Sequence, residues 1–125
     1  MDPDPTRSAT ELGVACWFLV PRTRDEKHGG GRHDEAALRW LTESLDRISG
    51  GWSRHERVEA VLGRWQREDG TPVMDASLRI ELGLNAEQRE ELAKLLPQVA
   101  VRFGQDCIYA VLAEQQAVLI WRTEP

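Results

Sequence analysis

The chain has 125 residues, of which 41% are hydrophobic and 30% charged, with a formal net charge of −5 at pH 7. This length gives room for a single domain, and the composition indicates a folded protein rather than a membrane-spanning, fibrous or disulfide-stabilised one. The acidic balance argues against broad binding to nucleic acid or anionic membranes. Five tryptophans stand beside only two phenylalanines and one tyrosine, which is a large tryptophan content for one small core.

The predicted compartment is the cytoplasm. No apolar stretch approaches the ~20 residues of a membrane helix, and the acidic, proline-rich start Met1–Pro5 is unlike a secretory signal. Without an export signal, Cys16 and Cys107 are expected to be reduced thiols. We predict that residues 1–10 form a flexible tail and that residues 11–122 form one domain.

The first half of the domain predicts a strand, a loop and a helix. Leu12–Val20 predicts a strand with apolar residues on both of its faces, which is typical of a central strand that is covered on both sides. Residues 21–33 are polar and glycine-rich and predict a loop. Asp34 is a favourable N-cap for a helix that ends near Ile48. The apolar stripe of this helix contains Leu38, Leu41, Leu45 and Ile48.

The middle of the chain predicts a hairpin. Trp52–His55 is interpreted as a connection, and Val58–Arg67 as a strand. Asp69-Gly70 favours a tight turn, and Pro72 suits the first residue of a strand. Residues 73–82 alternate between apolar and polar side chains, as expected for a strand with one buried face.

The last third of the sequence predicts a helix and two strands. Asn85 followed by Gln88 resembles a capping box. Pro97 interrupts the helix that follows, and we expect a kink there because the apolar spacing continues beyond it. Cys107–Ala113 predicts a strand, and Ala117–Trp121 a final edge strand. The apolar face of the helix contains Leu92, Leu95, Leu96, Val99, Ala100 and Phe103.

This order of elements predicts a ferredoxin-like α+β sandwich, with an antiparallel sheet, two helices on one face and an extra C-terminal edge strand. The first and last main strands should be neighbours, which would bring Cys16 and Cys107 close together as buried thiols. The other sheet face carries no helix in this fold. Its predicted side chains on the third strand are Asp75, Ser77, Arg79 and Glu81.

The glycine-rich loop offers two weak candidates for ligand binding. His28 and His33 flank three consecutive glycines, and with Asp34 they could hold a divalent metal, although the spacing matches no established ligand motif. Arg32 could contact an anion at the start of the following helix. A solvated polar loop explains the same residues, and no metal or cofactor is assigned.

The segment between the last helix and the next strand is the most distinctive in the chain. Gln105, Asp106 and Tyr109 place an amide, a carboxylate and a phenol at the start of a strand. They could form a polar pocket there. Gln105 and Asp106 could instead bond to backbone groups at the helix end.

The sequence Phe103-Gly104-Gln105-Asp106 resembles a feature of small bacterial ferredoxin-like domains of unknown function. In those domains a Phe-Gly-Gln-Asp/Glu segment leads into the last main strand, and the layout is similar over residues 12–113. The resemblance implies the fold and no known activity.

The predicted third strand argues against two nucleic-acid functions. Asp75 and Glu81 lie too far apart along the strand to share one metal, so a nuclease would need a symmetric dimer with two copies of Asp75. An RNA-recognition module needs aromatic residues on this strand, and residues 73–81 contain none.

The sequence therefore favours a non-enzymatic interaction or accessory protein that acts through a sheet face or edge as a homodimer or with a protein partner. Trp17 and Trp65 are the main candidates for this interface. We expect at least two of four tryptophans to lie there: Trp17, Trp52, Trp65 and Trp121. The alternative is a small enzyme or ligand-binding protein, in the least favoured case a metal-dependent nuclease. Its polar groups would be Gln105, Asp106, Tyr109, Asp75, His33 and Arg32.

Overall fold

The computed structural model describes residues 12–55, 61–66, 69–70, 72–113 and 116–123. The predicted N-terminal tail lies outside these residues. Two helices and six strands are present in the described ranges, together with a single 3-10 turn at Glu26–His28. In chain order they are β1 (Val14–Pro21), α1 (Glu35–Ile48), β2 (Trp52–His55), β3 (Val61–Gln66), β4 (Pro72–Leu84), α2 (Ala86–Arg102), β5 (Cys107–Ala113) and β6 (Gln116–Trp121).

The strands form one antiparallel sheet in the order β2-β4-β1-β5-β6, and β3 also pairs with β4. β2 lies against residues 79–82 of β4 and β3 against residues 72–77, so these two short strands share one edge of the long strand. β1 is central, between β4 and β5. The predicted ferredoxin-like α+β fold with an added C-terminal edge strand is confirmed.

The core lies between one face of the sheet and the two helices. On β1, the alternate residues Cys16, Phe18 and Val20 are buried in this layer, as the period of two in a strand requires. The helices supply Ala37, Leu41, Leu45, Leu92, Leu96, Val99 and Ala100, and Phe103 follows directly after α2. The predicted apolar stripes therefore face the sheet, and the other sheet face carries neither helix. We call that surface the open face.

Local side-chain caps fix the start of both helices. Oδ1 of Asp34 accepts a hydrogen bond from the backbone N–H of Ala37 at 2.7 Å. Asn85 and Gln88 form the predicted capping box, with two reciprocal bonds of 2.9 Å. α2 runs through Pro97 as one element. Neither described helix is long and apolar enough to cross a membrane.

The interpretation of Trp52–His55 as a connection is wrong. These residues form β2, because their backbone pairs with the outer edge of β4. The Trp52 ring packs against the core, and its Nε1–H donates to Oδ1 of Asp46 at 2.8 Å. The residue is therefore on the helix side of the sheet.

The expected proximity of the two cysteines is also wrong, although β1 and β5 are neighbours. The register pairs Trp17 with Val111, and Sγ–H of Cys16 donates to the carbonyl of Leu112 at 3.3 Å. Cys107 lies at the other end of β5, opposite Trp121, and is half-buried. Burial raises the pKa of the Cys16 thiol, which keeps it protonated and unreactive.

Candidate functional site

The glycine-rich loop, residues 22–33, is folded back on itself. Thr23 and Arg32 form an isolated antiparallel bridge. The side chain of Asp25 accepts a bond from the backbone N–H of Lys27 at 2.9 Å and so caps the 3-10 turn. Three successive glycines then adopt positive φ values of 102°, 61° and 79°. Only glycine adopts such a run without strain, so the glycines shape a tight loop here.

This loop is anchored to the C-terminus of α2. Arg24 donates from Nη1 to the carbonyl of Arg102 at 3.0 Å, and the backbone N–H of Asp25 donates to the carbonyl of Gly104 at 2.9 Å. A guanidinium at the negative end of a helix is favourable. Gly104 has φ +60°, and a Cβ added there would lie 2.8 Å from Cζ of Arg24. The anchor therefore depends on glycine at this position.

Gln105 extends the same anchor. Its side chain is buried, and its amide donates to the carbonyls of Thr23 at 2.9 Å and Phe103 at 2.8 Å. Both acceptors are backbone groups, one in the loop and one at the helix end. These contacts hold the loop against the helix.

Asp106 joins the loop to the end of the chain in a group that we call the loop cluster: Lys27, His28, Asp106 and Arg122. Oδ1 of Asp106 is 2.8 Å from Nε2 of His28, and Oδ2 is 3.5 Å from Nζ of Lys27. Nη1 of Arg122 lies 2.6 Å from Nδ1 of His28. The same Nη1 is 2.7 Å from Nε2 of His28, so the guanidinium lies close to both nitrogens of the ring.

The charges of the loop cluster stabilise ionised Asp106. Partial burial acts to raise the pKa of this carboxyl, but the hydrogen bond from His28 and the positive charge of Lys27 outweigh it and lower the pKa below its ordinary value. The carboxylate is thus bound to neighbours that favour its charge. Its geometry is that of a tether between the loop and β5.

His33 makes contacts of its own, away from this cluster. Nε2 donates to the carbonyl of Pro21 at 2.6 Å, and the ring meets Phe103 edge-on at 4.7 Å. Burial lowers the pKa of His33, and the bond to Pro21 opposes this only in part. His28 and His33 therefore have different partners, and in the described ranges no group of three or more His, Cys, Asp or Glu side chains could hold a metal ion.

A second group, the sheet-face cluster, lies on the open face and consists of Trp17, Arg79, Glu81 and Tyr109. The rings of Trp17 and Tyr109 are 5.5 Å apart at 36°, and Cζ of Arg79 is 4.2 Å from the centroid of Trp17. Nε of Arg79 lies 2.7 Å from Oε1 of Glu81. Three adjacent strands, β1, β4 and β5, contribute these side chains, which combine two aromatic rings with one charge of each sign.

The predicted site residues are thus divided between two places. Gln105 and Asp106 anchor the loop, whereas Tyr109 turns to the open face beside Trp17. Arg32 is exposed. For two further candidates only the backbone is described: Asp75 pairs with Gly63 and Trp65 with Val73.

The sequence does not predict Arg79, Glu81 or Arg122 as site residues. Strand alternation places Arg79 and Glu81 on the open face, but it does not predict the contact of Arg79 with Trp17 or with Glu81. Arg122 gave no signal at all, because it follows the last strand and reaches His28 only through the fold.

Comparison with known proteins gives a likeness of fold. No protein-family model matches the chain, and no curated protein is similar in sequence. The solved structure of a phage SAM (S-adenosylmethionine) lyase in complex with S-methyl-5′-thioadenosine superposes with a TM-score of 0.69 at 16% identity, covering 94% of this chain and 96% of that one. A phage SAM lyase in the apo state gives a TM-score of 0.60 at 14% identity, covering 98% and 92%.

These matches correct the functional interpretation of the sequence. The expectation of a non-enzymatic accessory protein is wrong, because the two solved structures named above, which superpose along nearly the whole chain, are enzymes, one of them with a bound nucleoside. The alternative of a small enzyme or ligand-binding protein fits better. The resemblance to bacterial domains with a Phe-Gly-Gln-Asp/Glu segment stays a prediction. At 16% and 14% identity, the likeness to the lyases establishes the fold, and the chain is similar to them in that sense.

Proposed function

We propose that the chain is an enzyme that cleaves S-adenosylmethionine in a lyase reaction and releases S-methyl-5′-thioadenosine. The observation that carries the proposal is the likeness of fold to a phage SAM lyase that holds this nucleoside. The likeness covers 94% of one chain and 96% of the other, so it involves the whole sandwich rather than a shared fragment.

The chemistry of this reaction defines what the site must bind. The sulfonium sulfur of S-adenosylmethionine carries a methyl group, a 5′-adenosyl group and a 3-amino-3-carboxypropyl chain, and S-methyl-5′-thioadenosine keeps the first two. The bond from sulfur to the amino-acid chain therefore breaks, and the sulfur keeps both electrons and becomes a neutral thioether. The carbon that leaves the sulfur forms its new bond to an oxygen of the substrate's own carboxylate, which closes a five-membered lactone without water or another co-reactant. The site must recognise a purine nucleoside, a sulfonium cation and an amino-acid head group.

The sheet-face cluster contains side chains of the chemical types that could recognise these groups. The rings of Trp17 and Tyr109 offer an aromatic surface for a purine or a sulfonium cation. The carboxylate of Glu81, on the same face, offers a negative charge for an ammonium group. Gln105 and Asp106 are engaged in anchoring the loop, so we place the site on the open face.

We also propose that the chain forms the homodimer predicted from the sequence. Trp121 lies on the same face as Cys107 by their pairing and is 47% exposed, so the open face extends to an exposed aromatic at its edge. A second copy over this face would exclude water from the cluster. Light scattering is the test, and a clean monomer at high micromolar concentration would contradict the dimer. The predicted cytoplasmic location is kept as part of the proposal.

The direct test of the activity is product analysis. The purified chain is incubated with S-adenosylmethionine, and the nucleosides are separated by liquid chromatography and identified by mass. We expect S-adenosylmethionine to be consumed with an equal amount of S-methyl-5′-thioadenosine formed, and Trp17→Leu to slow this at an unchanged melting temperature. Unchanged substrate, or formation of S-adenosylhomocysteine instead, would contradict the lyase proposal.

A further inference from the structure

The sheet-face cluster already holds a cation against its aromatic ring. Cζ of Arg79 is 4.2 Å from the centroid of Trp17, within the distance at which an aromatic face attracts a positive charge. The Tyr109 ring adjoins Trp17 at 5.5 Å, so the guanidinium borders a continuous aromatic surface. This is the arrangement that a cationic ligand would require.

Arg79 is held in this position by weak contacts. Its Nε is 2.7 Å from Oε1 of Glu81, and the two side chains are 36% and 41% exposed. The Nε–H is buried without an aligned hydrogen-bond acceptor in the described part of the chain, so the ion pair is close but poorly directed. Both contacts are partly exposed, and a cation–π contact or ion pair that is not fully buried contributes about 1 kcal/mol or less. Arg79 can therefore leave the ring at small cost.

We infer that Arg79 is an internal substitute for the sulfonium group of the ligand, and that an adenosyl sulfonium displaces it from the Trp17 ring. The inference rests on the proposed function for the identity of the ligand, and it adds the residue that distinguishes a charged sulfur from a neutral one. Trp17 is then a specificity-determining residue, and Arg79 is an internal competitor for the same surface.

This exchange also gives the product a way out. The sulfonium competes with Arg79 for the ring because both are cations. Once the carbon–sulfur bond breaks, the sulfur is a neutral thioether and loses this attraction. Arg79 then returns to Trp17 and displaces the product. The site should therefore bind S-adenosylmethionine more tightly than S-methyl-5′-thioadenosine or S-adenosylhomocysteine.

The test is calorimetric titration of the full chain and its variants with S-adenosylmethionine and, separately, with the neutral thioether S-adenosylhomocysteine. Arg79→Gln is expected to lower the Kd for S-adenosylmethionine about three- to tenfold, because the competitor is gone. Trp17→Leu should remove most of the preference for the charged ligand. Trp17→Phe, which keeps a ring with weaker attraction for cations, should retain part of it and serves if the leucine variant does not fold.

A matched control is available on the helix side. Cζ of Arg102 lies 4.7 Å from the centroid of Trp40, a contact of the same kind far from the open face. Arg102→Gln removes that contact and should leave both Kd values within about twofold of the parent.

The outcomes separate this inference from the proposed reaction. Weaker binding of S-adenosylmethionine by Arg79→Gln would overturn the inference, because Arg79 would then be a ligand contact. In a second outcome, the parent chain converts S-adenosylmethionine to S-methyl-5′-thioadenosine, but the Trp17 and Arg79 variants bind both ligands as Arg102→Gln does. That result would overturn the inference about Arg79 and leave the proposed reaction standing. Charge-selective binding that depends on Trp17 without any conversion would support it and refute the reaction. No binding at all would refute both.

Discussion

The loop cluster and the sheet-face cluster each contain a carboxylate and an arginine, yet they are held in different ways. In the loop cluster, the side chain of Asp106 is 23% exposed and contacts Lys27 and His28, and these contacts lower its pKa. In the sheet-face cluster, Arg79 and Glu81 are 36% and 41% exposed. The carboxylate of the first cluster is therefore less accessible than either charged group of the second, although Lys27 beside it is 61% exposed.

The two clusters thus separate polar residues that hold the fold from polar residues that are available to a ligand. Breaking a partly buried, multiply bonded group leaves its partners unsatisfied, which is costly. Exchanging an exposed ion pair for a ligand costs little. The residues most noticeable in the sequence, those around the triple glycine and Gln105, belong to the first kind.

The largest effect is expected at Gly104. Gly104→Ala places a Cβ against Arg24, whose Cζ would be 2.8 Å away, and forces a non-glycine residue to φ +60°. We expect a loss of about 2–3 kcal/mol in the free energy of unfolding, measured by urea denaturation. Gly31→Ala is the control, because its φ is +79° but nothing lies within 4 Å of the added Cβ. Equal losses in both variants would show that the contact with Arg24 does not matter.

The next effect is expected at Gln105. Gln105→Ala removes the donor to the carbonyls of Thr23 and Phe103 and leaves them without this partner at a buried site. The cost should be about 2 kcal/mol. The Kd for S-adenosylmethionine should stay within about twofold of the parent value, since this residue anchors the loop. A variant that loses ligand binding at an unchanged melting temperature would instead place Gln105 in the site.

The fold could be predicted from the sequence because its signals are local. Alternation on β1 and β4, the apolar stripe of α1 and the caps at Asp34 and Asn85 each depend on residues that are close in the chain. β2 could not be predicted, because a four-residue strand has too short a pattern and exists only through pairing with β4. The prediction that the two cysteines lie close together is wrong for a related reason, because the register between β1 and β5 is set by the whole sheet.

The candidate site was predictable only in part. Strand alternation placed Arg79 and Glu81 on the open face and Trp17 in a strand covered on both sides. Their meeting with Tyr109 depends on β4, β1 and β5 lying side by side in one register, which no local pattern encodes. A glycine-rich loop with histidines was the more conspicuous signal, and its side chains bond to the protein itself.

Asp106→Asn tests the charge in the loop cluster through its dependence on pH. The folded-state pKa is lowered, so the ionised carboxylate stabilises the fold above its unfolded pKa, and this contribution is lost as pH falls through the folded pKa. The variant should be about 1 kcal/mol less stable than the parent at pH 7. The difference should shrink towards zero in strong acid. Denaturation midpoints of both proteins between pH 7 and pH 2.5 check this, and a difference independent of pH would contradict it.

A smaller effect with a different pH window is expected from His33. Its pKa is lowered by burial, so the folded protein binds this proton less readily than the unfolded chain. Stability is therefore complete above the unfolded value of about 6.5 and falls as pH drops through the folded pKa. His33→Gln, which keeps a donor for the carbonyl of Pro21, should flatten the fall in melting temperature just below pH 6.5. An unchanged slope would show that His33 does not titrate in folding.

The smallest effect on stability is expected where the effect on binding is large. Arg79→Gln removes a partly exposed ion pair with Glu81 and a partly exposed contact with the Trp17 ring, so the free energy of unfolding should change by less than about 1 kcal/mol. Losses comparable to that of Gln105→Ala would mean that the sheet-face cluster holds the fold together as the loop cluster does. If Arg79→Gln changes the free energy of unfolding little and lowers the Kd for S-adenosylmethionine, then the contact between Arg79 and Trp17 opposes ligand binding and contributes little to folding.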